Sequence, residues 1–162
     1  MKRVVITGIG AITPVGNDAP STWESICAGR HGFSKIDRFD TEDMGVSVAA
    51  LLKDFDPTPI VDKKEQRRTD PYCQLALCAA AEALKDCGSD LKDLDPYRVG
   101  VIVGSGIGGM QTLEEEHQKF LEKGAKRVSI FFIPMMISNM AGGLIAIRYG
   151  LKGPNMSIVT AC

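Results

Sequence analysis

The chain has 162 residues, of which 44% are hydrophobic and 24% are charged. Nineteen basic and twenty acidic side chains leave a formal net charge of −1. This composition is typical of one soluble globular domain and excludes a disordered or fibrous chain. The near-neutral charge gives no reason to expect nucleic acid or a membrane surface as a partner, so any charged partner must be recognised by local patches.

The cysteines follow neither a disulfide pattern nor a metal-binding pattern. Their number is odd, no CxxC pair occurs and no secretory leader precedes them, which indicates a reducing compartment and a cytoplasmic protein. The apolar part of the N-terminal stretch MKRVVITGIG is too short for a signal peptide or a membrane span. The five residues are Cys27, Cys73, Cys78, Cys87 and Cys162.

The first third of the chain predicts a strand, a helix and a long excursion. The β-branched run at 3–10 ends in glycines and predicts a strand. A helix should begin at Asp18 and Pro20 and end near Gly29. Residues 32–61 are polar and aromatic, with one weak strand in GVSVAAL. The apolar face of the predicted helix carries Trp23, Ile26 and Cys27.

The clearest predicted helix spans residues 71–87. Asp70 can cap it, Pro71 fits its first position and Gly88 suits a left-handed stop. Its apolar residues recur at the spacing of one helix face, which predicts that this face lies in the core. They are Leu75, Ala76, Ala79, Ala80, Ala83 and Leu84.

A second strand and helix follow in the same order. The run RVGVIVGSG at 98–106 predicts a buried strand, and a helix should extend over about 109–123. Strands that alternate with helices imply an α/β fold with a parallel-type sheet. The apolar side of the predicted helix carries Met110, Leu113, His117, Phe120 and Leu121.

The stretch at 131–150 carries no charge before Arg148. A proline, two glycines and a polar Ser138-Asn139 pair interrupt it, so a membrane span is disfavoured. A helix that is apolar all round is better explained as a buried helix of a larger protein. The final run NMSIVTAC predicts a strand that is apolar on both faces.

Two glycine-rich turns follow predicted strands. The second, GSGIGG at 104–109, fits the G-x-G-x-x-G pattern of a dinucleotide site. The acidic residue that binds the ribose should end another strand about 20 residues later, but that region still reads as helix. Tight turns between strands and helices therefore explain the glycines better than a cofactor does.

Cys162 is placed where a strand ends, after the small residues Thr160 and Ala161. A thiol at a junction between strand and helix can become a thiolate nucleophile beside free backbone N–H groups. Position alone nevertheless favours a small buried thiol. The other four cysteines read as core or surface residues, and neither His31 nor His117 has a partner at ligand spacing, so no metal site is expected.

Two short segments concentrate positive charge. Lys64, Arg67 and Arg68 share one face if their segment is helical, and Lys123, Lys126 and Arg127 follow later in EKGAKR. Such clusters can dock an acidic partner. From the pattern alone, a solvated face is the preferred interpretation.

Five ordered segments together resemble the N-terminal part of the β-ketoacyl-[acyl-carrier-protein] synthases of the type II elongating kind. They are RVVITGIGAITPVGN, STWESICAG, VGVIVGSGIGG, FFIPMMISNMAGGLIAIRYGLKGPN and SIVTAC. The resemblance runs in register over residues 1–162. It implies a thiolase-like α/β fold of layered α-β-α-β-α structure, of which this chain supplies roughly the N-terminal half, with the C-terminal half absent.

The resemblance also implies roles for single residues. Cys162 occupies the position of the cysteine that accepts the acyl chain as a thioester, and its backbone N–H would help to form the oxyanion hole. Ile107 and Phe132 occupy positions along the acyl pocket, with Phe132 reaching toward a partner subunit. Positions that dock the acidic acyl carrier protein are matched by Lys64, Arg67, Arg68, Lys126 and Arg127.

The implied reaction is decarboxylative condensation of an acyl thioester with malonyl-acyl carrier protein in fatty acid elongation. It needs no metal or organic cofactor, because the phosphopantetheine arm arrives on the carrier. A homodimer is expected, with the segment NMSIVTA at its interface. The two histidines and the lysine that support condensation are expected in the C-terminal half, and neither His31 nor His117 matches them.

The alternatives are a non-catalytic chain-length partner, a polyketide-type ketosynthase subunit and an oxidoreductase that uses the glycine turns.

Overall fold

The computed structural model describes residues 2–88 and 91–160. Its strands form an antiparallel hairpin, β1 with β2, and a parallel pair, β3 with β4, which confirms the predicted α/β alternation and the parallel-type sheet. The strands are β1 (Phe33–Lys35), β2 (Val48–Ala50), β3 (Val101–Gly104) and β4 (Asn155–Ile158). The helices are α1 (Ala19–Cys27), α2 (Lys63–Gln66), α3 (Pro71–Asp86), α4 (Met110–Lys123), α5 (Phe132–Met136) and α6 (Met140–Tyr149), with 3-10 turns at Pro96–Arg98 and Ala125–Arg127.

The core lies where α3 and α6 pack together beside β3. Leu77 of α3, Val101 of β3 and Ile145 of α6 are buried there together with Val61. The predicted helix at 71–87 is confirmed, and Gly88 follows it with a φ of +68°. The predicted apolar stripe is only half-buried, because the N-terminal segment, α6 and the core each cover a different side of α3.

One buried carboxylate, that of Asp70, caps two helices at once. Its Oδ1 accepts a hydrogen bond from the N–H of Tyr72 at 3.0 Å in the first turn of α3. Its Oδ2 accepts from the N–H and the hydroxyl of Thr112 in the first turn of α4, at 2.9 and 2.8 Å. Gly109 stands at the N-cap of α4 and has no side chain to do this. Asp70 therefore locks the start of α4 onto the start of α3.

The prediction of a strand at 3–10 is wrong. The segment is extended and largely exposed, and it pairs with none of the described strands. It lies along α3 instead, where Asp86 accepts a hydrogen bond from the N–H of Ile9 at 2.9 Å. Gly10 comes so close that an added Cβ would lie 2.0 Å from the carbonyl oxygen of Ala79. A strand needs a neighbour to share its hydrogen bonds, and acidic side chains of α3 take that place here.

The parallel pair β3–β4 is covered on one face only. Alternate side chains of a strand point to opposite faces, and Val101 and Val103 face α6. Ile102, Met156 and Ile158 are exposed, with 61% of Ile102 accessible. Both strands are confirmed. The prediction that the strand at 98–106 is buried holds for the face toward α6 and is wrong for the face that carries Ile102.

Residues 131–150 form two helices rather than one. The chain becomes extended at Ile137, between α5 and α6. The hydroxyl of Tyr72 donates a hydrogen bond to the carbonyl of Ile137, and Ser157 of β4 donates to the carbonyl of Ser138 at 3.2 Å. The polar pair Ser138-Asn139 thus marks the break. In the described ranges, no helix is long and apolar enough to cross a membrane.

The apolar faces predicted for α1 and α4 are exposed, although both helices are confirmed. Trp23 of α1 is 67% accessible, and Phe120 and Leu121 of α4 also face outward. The side of α4 that contacts Asp70 and the loop before α5 buries polar residues instead, namely Thr112 and Glu116. Hydrogen bonds to Asp70 and to the loop before α5 set the orientation of α4, and the apolar stripe does not.

Replacing Asp70 should cost more stability than removing an ordinary helix cap. We expect Asp70→Ala to lower the free energy of unfolding by about 2–4 kcal/mol, because two caps are lost and the freed N–H groups are buried. Asp18 is the matched control, since it caps only α1 and is exposed. For Asp18→Ala we expect a loss of about 1 kcal/mol. Urea unfolding followed by circular dichroism measures both, and equal losses would contradict a double cap.

Substitution at Gly10 tests the close approach of the N-terminal segment to α3. We expect Gly10→Ala to lower the free energy of unfolding by about 1–3 kcal/mol, because the new methyl group meets a backbone carbonyl that cannot move freely. Gly45→Ala is the control, since nothing lies within 4 Å of a Cβ added at Gly45. Thermal unfolding measures the stability of both variants. A loss in Gly10→Ala alone indicates steric overlap, whereas an equal loss in Gly45→Ala indicates a general effect of replacing glycine.

Candidate functional site

The loop after β3 and the chain after β4 leave the sheet at the same edge. The strands are parallel, and Gly104 and Ile158, which end them, are paired. The N–H of Ser105 donates to the carbonyl of Ile158 at 3.2 Å, so the two segments remain together just beyond the strands. Carboxyl ends of parallel strands are where α/β proteins place their sites. Cys162 follows Ile158 by four positions in the sequence and lies outside the described residues.

The glycine-rich turn that carries Ile107 is seated on the end of α5. The N–H of Gly109 donates to the carbonyl of Met136 at 2.8 Å. Gly108 has a φ of +93°, and a Cβ there would lie 2.4 Å from the same oxygen, so only glycine fits. Ile107 is 61% accessible in this turn. The structure thus brings the Ile107 segment against α5, the helix that begins with half-buried Phe132.

The same contacts argue against a dinucleotide at this turn. A pyrophosphate needs free N–H groups at a helix N-terminus. Here the N–H of Gly108 bonds to the hydroxyl oxygen of Ser105 at 2.9 Å, and that of Gly109 bonds to Met136. The N–H of Thr112 is taken by the carboxylate of Asp70, whose charge would repel a phosphate. The glycines therefore serve close packing.

The first basic cluster is held in place by a neutralised glutamate. Lys64 lies on α2, a helix of four residues, and exposed Arg67 and Arg68 follow directly. Between them, Glu65 forms an ion pair with Arg148 of α6 at 2.5 Å. Arg148 also donates to the carbonyl of Ile60. The acidic residue of this segment thus binds an internal partner, and the basic ones remain outside.

The second basic cluster lies on the same side of the molecule as the first. Lys126 and Arg127 are in the 3-10 turn after α4. The guanidinium of Arg68 lies over the ring of Phe131, 4.9 Å from its centre, and Phe131 follows Arg127 by four positions. One groove is lined by Arg67 together with residues of α4 and with Ser129. The first cluster therefore contacts the loop that follows Arg127.

Sequence reasoning missed a buried glutamate on α4. Oε2 of Glu116 accepts a hydrogen bond from the N–H of Ser129 at 2.7 Å, and Oε1 accepts from the ammonium of Lys119 at 2.5 Å. The bond from Lys119, followed by that from Ser129, holds the pKa of Glu116 below its usual range. Glu116 thereby anchors the loop that leads from the second basic cluster to α5. The three consecutive glutamates of EEEH gave no signal that one of them turns inward.

Sequence reasoning also missed Lys119 on α4. This residue lines a groove together with Lys123 and Arg127. The spacing of the three residues, four positions each time, was the available signal. This spacing was overlooked because the prediction for the helix considered only its apolar residues.

The described cysteines have environments of ordinary structural thiols. Burial raises the pKa of Cys73 to about 11 and also raises that of Cys78, so both stay protonated near neutral pH. Cys27 is exposed and Cys87 is half-buried. Within residues 2–88 and 91–160, no three His, Cys, Asp or Glu side chains are grouped so that they could hold a metal ion.

Comparison with known proteins identifies a single family. The model of "Beta-ketoacyl synthase, N-terminal domain" matches residues 1–162. A 3-oxoacyl-[acyl-carrier-protein] synthase 2 of Staphylococcus aureus is 51% identical over 99% of this chain, and one of Synechocystis is 47% identical over 99%. The chain spans about two fifths of the length of these curated relatives, 39% in both cases.

Solved structures agree on the fold. The ishigamide ketosynthase/chain length factor matches 99% of this chain and 40% of its own, with a TM-score of 0.87 and 27% identity. A type II polyketide ketosynthase in complex with its acyl-carrier protein matches 98% of this chain and 41% of its own, with a TM-score of 0.79 and 28% identity. The predicted thiolase-like fold is confirmed, and the described elements are consistent with its N-terminal half. The chain belongs to the β-ketoacyl synthase family, whose N-terminal domain it matches over its whole length.

Proposed function

We propose that this chain is the N-terminal part of a 3-oxoacyl-[acyl-carrier-protein] synthase that elongates fatty acids. In the first step, the thiolate of Cys162 attacks an acyl thioester, a new S–C bond forms and the carrier thiol leaves. Malonyl-acyl carrier protein then loses CO2, and the resulting carbanion attacks the acyl group on Cys162. The thiolate is regenerated, and the 3-oxoacyl product is two carbons longer. Identity of about half the residues to synthases of this kind supports the assignment.

The observation that carries the proposal is the shared edge of β3 and β4. The turn bearing Ile107, the helix that begins at Phe132 and the segment leading to Cys162 all belong to this edge. An acyl chain on Cys162 would extend along the side chains of Ile107 and Phe132. The apolar side chains of Ile107 and Phe132 suit its hydrocarbon, because burial of each CH2 contributes about 0.8 kcal/mol.

The basic face supports acyl carrier protein as the partner. Such carriers are acidic, and the face presents exposed Lys64, Arg67, Arg68, Lys126 and Arg127 on the side of the chain where α4 leads into α5. One of the similar solved structures is itself a ketosynthase in complex with its acyl-carrier protein. The carrier brings the phosphopantetheine arm, so the proposed reaction needs no other cofactor or metal.

Exposed apolar surface supports a larger assembly. One face of the β3–β4 pair, the segment at 3–10 and the apolar side of α1 are all uncovered. We assign these surfaces to the remainder of the synthase and to a second copy, with β4 at the interface of a homodimer. The expected site of action is the cytoplasm.

The remaining catalytic groups are proposed to lie in the C-terminal half. Neither described histidine is suited to decarboxylation at this edge. His31 precedes the β1–β2 hairpin and lies 6.1 Å from the ring of Phe33, and His117 is exposed in the middle of α4. Two histidines and a lysine are therefore sought in the sequence that follows.

A polyketide-type ketosynthase subunit is the second candidate. Two similar structures are ketosynthases of that kind or carry a chain length factor, at 27% and 28% identity. The 51% identity to a fatty acid synthase component favours the first proposal. A non-catalytic chain-length partner would lack the cysteine at position 162, which this chain has.

Replacing Cys162 tests the nucleophile. We expect Cys162→Ser to abolish formation of the acyl-enzyme, because a serine hydroxyl is a far weaker nucleophile than a thiolate when no general base is supplied for it. Intact-mass spectrometry of the complete protein, incubated with an acyl-acyl carrier protein, measures the adduct. Cys27→Ser is the control, since Cys27 is exposed and should be dispensable. Acylation that persists in Cys162→Ser and disappears in Cys27→Ser would overturn the assignment.

Charge reversal at Arg67 and Arg68 tests the docking face. We expect the double change to glutamate to raise KM for acyl-acyl carrier protein by about tenfold and to leave kcat within about twofold, because rim charges act on association more than on chemistry. Steady-state kinetics of the complete protein measure both constants. With a small acyl thioester that lacks the carrier, the unchanged protein and the double variant should have the same KM and kcat. An unchanged KM for the acyl-acyl carrier protein would contradict the proposed docking role of Arg67 and Arg68.

A further inference from the structure

We propose that Lys119 and Lys123 of α4 form the centre of the docking face and contact the acidic acyl carrier protein directly. This inference rests on the proposed function. It adds Lys119, which neither basic segment contains, and it gives Lys123 of EKGAKR a central place. Lys119 joins the two clusters into one surface.

Lys119 is the link between the two clusters. It lines one groove with Lys123 and Arg127, and it lines a neighbouring groove with Arg67 and Ser129. Cationic groups therefore follow one another from Arg67 through Lys119 and Lys123 to Arg127.

The end of α4 explains why Lys123 and Arg127 share a groove. Lys123 is the last residue of the helix, and Gly124 turns the chain with a φ of +79°. The 3-10 turn that follows carries Arg127 back beside the helix end. Lys123 also offsets the negative end of the helix dipole, which would otherwise repel an acidic partner.

Lys119 remains cationic toward solvent although it is paired with Glu116. The glutamate lies underneath, with its side chain 7% exposed, whereas 45% of the lysine side chain is exposed. An ammonium group has three N–H donors, and Glu116 Oε1 accepts one of them. The bond to Glu116 raises the pKa of Lys119, so the charge persists. The buried carboxylate thus fixes the position of the ammonium without covering it.

Acidic side chains next to the basic ones restrict the orientation in which an acidic partner can bind. Glu115 lines the groove of Arg67, and Glu122 lies one residue before Lys123, where it accepts a hydrogen bond from Gln118 at 2.8 Å. An acidic partner is repelled by these glutamates and attracted by Lys119, Lys123 and Arg127. The arrangement therefore favours one register of the carrier on α4.

The decisive measurement is binding of apo acyl carrier protein, which lacks the phosphopantetheine arm, to the complete protein. Fluorescence anisotropy of the labelled carrier gives Kd at several salt concentrations. We expect Lys119→Glu combined with Lys123→Glu to raise Kd by about tenfold and to flatten the dependence of Kd on salt, because attraction to the acidic carrier is replaced by repulsion and salt screens such charges. Lys35→Glu, on the exposed strand β1, is the control for net charge.

A milder pair of variants protects the test against misfolding. In Lys119→Gln the amide can still donate to Glu116, so α4 should keep its anchor to Ser129. Lys119→Gln combined with Lys123→Gln should raise Kd by about threefold, since the attraction is removed without repulsion being added. Unchanged Kd in both double variants, with a raised Kd in Arg67→Glu, would overturn this inference and leave the proposed docking face standing. If Kd is also unchanged in Arg67→Glu, the proposed docking face itself is contradicted. If Lys35→Glu raises Kd equally, the change in net charge explains all of these effects and the inference is overturned.

Discussion

The arrangement of the site depends on the double cap at Asp70. This carboxylate ends the segment that carries Arg67 and Arg68, begins α3 and also holds the first turn of α4. The start of α4 sets the position of the glycine turn, and that turn is seated on α5. One buried charge thus relates the first basic cluster, the Ile107 turn and the helix of Phe132 to each other. An apolar contact of the same area would not fix their directions, because only hydrogen bonds are directional.

Two inward-facing glutamates explain how a nearly neutral chain presents a basic face. Glu65 stands within the positively charged stretch KKEQRR and pairs with Arg148 of α6. Glu116 is buried, and it accepts hydrogen bonds from the N–H of Ser129 and from the ammonium of Lys119. Both carboxylates are therefore paired within the chain. A formal net charge of −1 does not show this, because it counts paired and unpaired groups alike.

Local signals predicted the bounds of α3 and α4 well, since the turn residues and the helical spacing lie within each segment. They did not predict which face of α4 is buried, because the apolar face expected for it is exposed. The strand expected at 3–10 was wrong because a strand depends on a neighbour, and the hydrogen bonds of this segment go to α3 residues more than 70 positions away. Glu116 and the Asp70–Thr112 contact were missed for the same reason. Spacing alone favoured a structural thiol at Cys162, and the roles of Ile107 and Phe132 came only from the family resemblance. These three roles stay predictions.

The ion pair between Glu65 and Arg148 joins positions 83 apart in the chain. Helix α2 has four residues and is too short to persist in water without outside support. The basic side chains of this segment are therefore ordered only after α6 has packed and Arg148 has paired with Glu65. Loop closure over this distance comes late in folding. A half-folded chain would consequently lack the ordered basic surface that we propose for carrier docking.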